Sequence, residues 1–356
     1  MREYLYSLAT DKKKGFIAGI FKSFLFTLSL IYGIIVRVLS FICRLRSYRL
    51  NCRVISVGNI TLGGTGKTSL VEMLAMRLKQ EGHKVAVLTR GYKKVTNSQF
   101  SISNSQAMGD EPYMLTRNLG DIPVIVDKDR IRAAKLAIRS NGADAVILDD
   151  GFQQWRIKKD LEIVTIDATN PFGNLHLLPR GILREPLSSL KRTDIFVLTK
   201  VNLNPDTQDV KEFLKGINPN ALIVEAIHNP VGFYRLGERR DSLLGPAEFK
   251  GKKVSLVCGI ADPQSFENLI SSLGIDIGLS FRFPDHYPYT KQDLNRIIRD
   301  SRQNGIDIIV TTEKDSVRFP PISMDYGLWT MDCFILRIKL EILQYEIFIN
   351  RIHSLF

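Results

Sequence analysis

Arg53-Val54-Ile55-Ser56-Val57 runs directly into Gly58-Asn59-Ile60-Thr61-Leu62-Gly63-Gly64-Thr65-Gly66-Lys67-Thr68-Ser69. The first five residues read as a short buried strand. Glycines then let the backbone turn its N–H groups inward, as a loop around phosphate oxygens requires. Thr68–Glu81 reads as a helix ended by Gly82, and its N-terminus adds the positive end of a helix dipole. Strand, glycine-rich loop and helix together are a nucleoside-triphosphate site. In the pattern G-x-x-x-x-G-K-[ST] the first glycine falls on Thr61, but the G-G-x-G-K-T core is intact. Gly63, Gly64, Thr65, Gly66, Lys67, Thr68 and Ser69 are therefore the expected phosphate cradle. Lys67 reaches toward the β/γ-phosphates and the Thr68 hydroxyl toward Mg²⁺.

Working outward, Ala145-Val146-Ile147-Leu148 is a second apolar strand, ending in Asp149-Asp150. A carboxylate at that end of a parallel strand lies near the phosphates, so Asp149 and Asp150 are the expected metal partners of Thr68. Further strands are predicted at 84–88, 161–166, 195–198, 253–258, 277–283 and 306–311. Helices are predicted at 130–141, 263–273 and 291–304. Leu336–Ile349 fits either a strand or a helix. Short β-rich runs separated by helices indicate parallel sheets with crossover helices. The 356 residues accommodate about two domains. We expect an N-terminal helical region at 1–50, a nucleotide-binding core at 51–205, a connection at 206–252 and a second α/β lobe at 253–356.

The charge is unevenly placed. The whole chain carries 49 Lys/Arg and 37 Asp/Glu, net +12. Residues 1–53 hold ten Lys/Arg and two Asp/Glu, net +8. A nucleic-acid reader spreads basic surface over its folded domain. Here it surrounds an apolar segment, Gly15–Cys43, interrupted only by Lys22 and Arg37, which points to an anionic membrane surface. On a helical wheel Lys14, Lys22, Arg37 and Arg44 share a narrow stripe with Ser29, Tyr32 and Ser40. The expectation is a helix in the headgroup layer, cations toward lipid phosphates. A single span, a buried core helix and a cleaved leader are the alternatives. The four cysteines have no C-x-x-C spacing and read as reduced thiols.

A phosphate loop alone serves a small-molecule kinase, an ATP-driven switch of the partition-ATPase kind, or a nucleotide-binding scaffold. The switch family carries a lysine two places before Gly64, where this chain has Leu62. Thr312-Glu313-Lys314-Asp315 lacks the Asn-Lys start of a guanine-specifying loop, so ATP rather than GTP is expected.

The segments T-R-G-Y (89–92), G-D-E-P (109–112), D-K-D-R (127–130), L-D-D-G-F-Q (148–153), L-P-R-G-I-L-R-E-P (178–186), F-P-D-H-Y-P-Y (283–289) and T-E-K-D (312–315) occur in this order. With the phosphate loop they resemble one family, the tetraacyldisaccharide 4′-kinases of Gram-negative lipid A synthesis. The resemblance implies a P-loop α/β core, a second smaller α/β lobe and an N-terminal membrane-associated helix. It implies transfer of the γ-phosphoryl group of ATP, with Mg²⁺, to the 4′-hydroxyl of tetraacyldisaccharide 1-phosphate. The setting implied is the cytoplasmic face of the bacterial inner membrane, with a lipid-linked disaccharide as partner and no nucleic acid. By the same resemblance Asp110 accepts the hydroxyl proton. His286 pairs with Asp110 across the two lobes, completed when they close. Tyr92, Arg130, Gln153, Arg184 and Glu185 position phosphates or disaccharide. Arg180 departs from the family, where small residues are common.

Overall fold

The computed structural model describes residues 11, 13, 15–91, 109–204, 206–238, 240, 242–320 and 331–356. The chain forms two compact units. The first comprises 1–91, 118–228 and 340–356, and the second 92–117 and 229–339.

In the first unit the strands β1 (Arg53–Gly58), β2 (Val85–Thr89), β3 (Val124–Val126), β4 (Ala145–Asp149), β5 (Leu161–Asp167), β6 (Ile195–Thr199) and β7 (Leu222–Arg235) stand in the order β3-β2-β4-β1-β5-β6-β7. All these pairings are parallel. Helices cover parallel sheets on both faces, which is why β2, β4 and β6 are buried along their whole length and read as unbroken apolar runs. Its helices include α1 (Phe16–Leu45), α2 (Lys67–Gln80) and α4 (Arg130–Asn141), with α3 (Asp110–Leu119) contributing its last residues. Capping explains the bounds of α4. The Asp129 side chain accepts from Ile131 N and Arg132 N, and Gly142 ends the helix at φ 61°.

The second unit has β8 (Lys253–Cys258), β9 (Asp276–Arg282), β10 (Ile308–Thr312) and β11 (Asp332–Ile342) in the parallel order β11-β10-β8-β9. Its helices include α6 (Pro263–Ser272), α7 (Lys291–Gln303) and the short α8 (Glu313–Ser316). Thr290 and Asp293 form a capping box on α7.

The units are not the contiguous halves expected from composition. Segment 206–252 is no simple connection. It holds α5 (Gln208–Ile217) and the 14-residue β7, and the division falls inside β7. Residues 340–356 belong to the first unit because Leu343 N donates to Glu225 O at 2.8 Å. Helix α9 (Tyr345–His353) adds a His353–Glu81 contact at 2.8 Å. The ambiguous stretch 336–349 is thus the end of one strand and the start of one helix. Residues 92–117 belong to the second unit.

Helix α1 turns the middle of its polar stripe toward protein and not, as expected, toward lipid headgroups. Ser29 Oγ donates to Leu177 O at 2.7 Å and accepts from Arg180 N at 3.0 Å. Tyr32 Oη donates to Arg184 O at 2.9 Å. Lys22 pairs with Asp11 at 2.5 Å, and Arg180 pairs with the same carboxylate at 2.9 Å. Ser29 and Tyr32, the middle of the stripe, face the 177–184 loop because their hydroxyls meet loop backbone there. Arg37 and Arg44 stay exposed, and Lys14 lies outside the described residues. The face left outward is apolar, with Phe16, Ile20, Phe24, Ile31 and Ile34 exposed. By length and composition this helix could cross a membrane.

Close approach sets β1 against the turn after β4. A Cβ built on Gly58 would lie 2.5 Å from Phe152 N, a backbone atom that cannot swing away. Gly216 in α5 has nothing within 4 Å of the same position. Gly58→Ala is expected to destabilise the protein by about 1–3 kcal/mol, and Gly216→Ala to be neutral or slightly stabilising. Denaturant midpoints check this, and an unchanged midpoint for Gly58→Ala contradicts it.

Candidate active site

The phosphate loop joins β1 to α2 at the carboxyl ends of the strands, where open α/β sheets bind ligands. Gly63 (φ 119°) and Gly66 (φ 79°) adopt backbone that other residues rarely tolerate. The space around Gly63 and Gly64 is open. The loop is tied down at Thr65, whose Oγ1 lies 2.7 Å from Thr165 Oγ1 and whose carbonyl accepts from Thr199 Oγ1 at 3.2 Å. Thr68 is buried at the start of α2 and Ser69 is half-buried.

Lys67 Nζ stands 3.8 Å from Asp150 Oδ1. Arg184 grips both oxygens of Asp150, at 2.8 and 2.9 Å, and reaches Asn59 Oδ1 at 3.1 Å. Arg184 arrives there because its loop runs beside the phosphate loop. Leu62 N donates to Ile182 O at 2.8 Å and Arg184 N to Ile60 O at 2.7 Å. Burial works against ionising Asp150, but Arg184 and Lys67 outweigh it and hold the carboxyl below the usual carboxylate range. Asp150 also sits at φ 54°, a conformation uncommon outside glycine that collects at functional sites.

Asp149 is buried and accepts from Thr89 Oγ1 at 3.1 Å. Arg130 is only 2% exposed, and among the described residues its Nε has no hydrogen-bond partner. Burial pushes its guanidinium down to about 10, against the pull of Asp149. Gln153 donates to Asn59 O at 3.2 Å and to Glu185 Oε1 at 3.1 Å. Glu185 is fully buried, and its Oε1 also accepts from Trp155 Nε1 at 3.2 Å and from Arg192 Nη2 at 2.8 Å.

Thr68, Asp149 and Asp150 offer the hard oxygen donors that Mg²⁺ takes. Mg²⁺ keeps several waters and needs only one or two carboxylates beside substrate phosphates. Among the described residues no cluster of three or more metal-binding side chains occurs. The donor set therefore fits Mg²⁺ arriving with a nucleotide and not a protein-only cage.

Asp110 and His286 were expected on different lobes. Both lie in the second unit, already paired, with His286 Nδ1 3.3 Å from Asp110 Oδ2. Residues 92–117, which carry Asp110, join that unit although they precede β4 in sequence. The loop bearing His286 is pinned by rings: Phe283 stacks 4.7 Å from Tyr287, and Tyr289 meets Phe319 at 4.8 Å. His286 is at φ 61°.

Sequence reading missed Arg318, Arg192 and Trp155. Arg318 Nε donates to Asp110 Oδ2 at 2.7 Å across 208 residues of chain, a separation that leaves no local pattern. His228, whose Nε2 lies 3.1 Å from where a Gly66 Cβ would stand, was also missed. Tyr92 lies outside the described residues. Arg180, the departure from family pattern, is engaged with Asp11.

A family model for tetraacyldisaccharide-1-P 4′-kinase matches residues 21–356. A tetraacyldisaccharide 4′-kinase of Halothermothrix orenii is 38% identical over 340 residues, 90% of this chain and 88% of that one. One of Syntrophobacter fumaroxidans is 40% identical over 285 residues, covering 78% and 74%. The crystal structure of LpxK from Aquifex aeolicus, described as an "apo" form in complex with ATP, is 26% identical. It covers 94% of this chain and 99% of that one with a TM-score of 0.75.

The Asp110–His286 contact has a pH signature. The hydrogen bond from His286, aided by Arg318, holds Asp110 below its ordinary 3.8, and the same bond to Asp110 raises His286 above its ordinary 6.5. The stability that His286 contributes is fully present below pH 6.5 and is lost as pH rises through its raised value. The stability that Asp110 contributes is present above pH 3.8 and is lost as pH falls through its lowered value. The pair therefore stabilises most between those limits. Ring-proton NMR should show His286 titrating above the usual histidine range, and lower in Asp110→Asn. An equal midpoint in both proteins contradicts the pairing.

Proposed function

The chain belongs to the tetraacyldisaccharide-1-P 4′-kinase family, and on that premise we propose how its own residues carry the reaction. It is a kinase of lipid A biosynthesis that uses ATP and Mg²⁺ to phosphorylate the 4′-hydroxyl of a lipid-linked disaccharide, tetraacyldisaccharide 1-phosphate. Phosphoryl transfer asks a protein mainly for positioning and charge stabilisation, plus an acceptor for one proton.

The ATP phosphates lie in the Gly63–Ser69 loop, on backbone N–H groups and the N-terminus of α2. Lys67 offsets charge on the β- and γ-phosphates. Thr68, Asp149 and Asp150 would hold Mg²⁺, which supplies further neutralisation when bound. With phosphate present, Lys67 and Arg184 have a second anion to serve beside Asp150. Arg130 lies behind the carboxylates, where its orphaned Nε supports a role in holding phosphate or Asp149. Gln153 orders the loop from Asn59, and Glu185 fixes Gln153. Tyr92 completes the positioning set.

Asp110 is the proton acceptor. Both of its side-chain contacts fall on Oδ2, and among the described residues Oδ1 has no hydrogen-bond partner. Oδ1 takes the proton of the 4′-hydroxyl as that oxygen bonds to the γ-phosphorus. The bridge to the β-phosphate breaks with its electron pair, and ADP leaves. His286 supports the same carboxyl group from its other side, with Nδ1 beside Oδ2. The observation that carries this reading is the Asp110–His286–Arg318 contact.

The acceptor's acyl chains keep it in a bilayer. We propose that the outward apolar face of α1 enters the cytoplasmic leaflet of the inner membrane, where the flanking basic residues meet anionic lipid at roughly 1 kcal/mol each.

A transfer assay tests both statements. With γ-labelled ATP and substrate in micelles, Asp110→Asn should lose about 10²–10⁴-fold in kcat while still binding ATP. On vesicle-embedded substrate, Phe24→Asp with Ile31→Asp should lower turnover and leave the micelle rate unchanged. Retained kcat in Asp110→Asn contradicts the base, and an unchanged vesicle rate contradicts the membrane face.

A further inference from the structure

The T-E-K-D segment is not accounted for by the chemistry above. Asp315 has no exposed surface. It accepts from Gly259 N at 2.9 Å, Tyr289 Oη at 3.0 Å and Thr312 Oγ1 at 2.6 Å. Its Oδ1 also accepts from Arg318 Nη1 at 3.2 Å, and the same nitrogen donates to Gly259 O at 2.9 Å. The Arg318 side chain is 3% exposed, so its fork is fixed in place. The remaining donors point at the dyad: Nε to Asp110 Oδ2 at 2.7 Å, and Nη2 to within 3.3 Å of His286 Nδ1.

We propose that Arg318, anchored by Asp315, is a positioning residue that aims Asp110 and sets which protonation state of His286 the pair adopts. The inference rests on the reading of Asp110 as the base. Arg318 donates to Oδ2 and His286 Nδ1 stands beside the same oxygen, which leaves Oδ1 for the acceptor hydroxyl. His286 Nδ1 cannot accept from Arg318 and donate to Asp110 at once. With the imidazole neutral and its proton on Nε2, Nδ1 accepts from Arg318 Nη2. Once Nδ1 carries a proton it turns to Asp110. Arg318 therefore favours an ionised Asp110 and a neutral His286 before transfer. The other charged groups facing the pair are Glu111 and Lys314, themselves 3.3 Å apart, and Asp285, 3.8 Å from His286 Nε2.

The test is the pH profile of kcat/KM for the full-length enzyme and its Arg318→Gln and Arg318→Lys variants, with Asp110→Asn alongside. Arg318→Gln should lower kcat about 10-fold or more with an unchanged KM for ATP. Its acid limb should move up by roughly half a pH unit or more, because losing the cation raises both Asp110 and His286. Arg318→Lys keeps the charge, so the limb should return toward wild type while kcat recovers only in part. A merely structural role would scale the whole profile without moving the limb, and that result overturns the proposal. So does wild-type kcat in either variant. If Arg318→Gln fails to fold, Arg318→Lys decides, and wild-type kcat there overturns the proposal. Activity retained in Asp110→Asn would instead overturn the base assignment.

Discussion

The Arg184–Asp150 pair is the constraint around which the phosphate site is arranged. A bidentate guanidinium–carboxylate contact fixes both direction and distance. Asp150 directly follows the strand that pairs with β1, and Arg184 stands on the loop hydrogen-bonded to the phosphate loop. The carbonyl of Arg184 also accepts from Tyr32 of α1. One residue thus links the apolar N-terminal helix, the 177–186 loop, the carboxylate pair and Lys67. The site is exposed enough that the pair's energy is modest. Its consequence is geometric: it places two cations beside the glycine loop before any phosphate arrives.

A second arrangement of the same kind holds Asp110, the proposed proton acceptor. Asp315 anchors Arg318, Arg318 anchors Asp110, and His286 completes the contact on a loop braced by aromatic rings. In each unit a carboxylate is held by an arginine that a buried framework has already oriented. In the first this gathers positive charge where phosphate charge must be neutralised, and in the second it leaves one carboxylate oxygen for a hydroxyl. Pre-oriented dipoles and charges need no reorganisation during reaction, which is where most electrostatic catalysis originates.

Much of this was legible in sequence. Strands buried on both faces write themselves as apolar runs, so β1, β4, β6 and β8 could be placed within a residue or two. Gly66-Lys67-Thr68 and Asp149-Asp150 carry their chemistry in adjacent positions. The rest depends on contacts with no local trace. Arg318 meets Asp110 over 208 residues. The assignment of 92–117 and 340–356 to their units follows from packing and not from order along the chain. A helical wheel separates the two faces of α1 but cannot say which one meets protein. Ser29 and Tyr32 meet backbone carbonyls and an amide, and that turns the middle of the polar stripe inward.

The central claim is that Arg184 and Asp150 organise the phosphate site as a unit. It is tested most directly by a double-mutant cycle on ATP affinity, measured calorimetrically with Mg²⁺ for wild type, Arg184→Gln, Asp150→Asn and the double variant. Strong non-additivity is expected, a coupling of about 1 kcal/mol or more, with the double variant no weaker than the weaker single. Losses that simply add would contradict it.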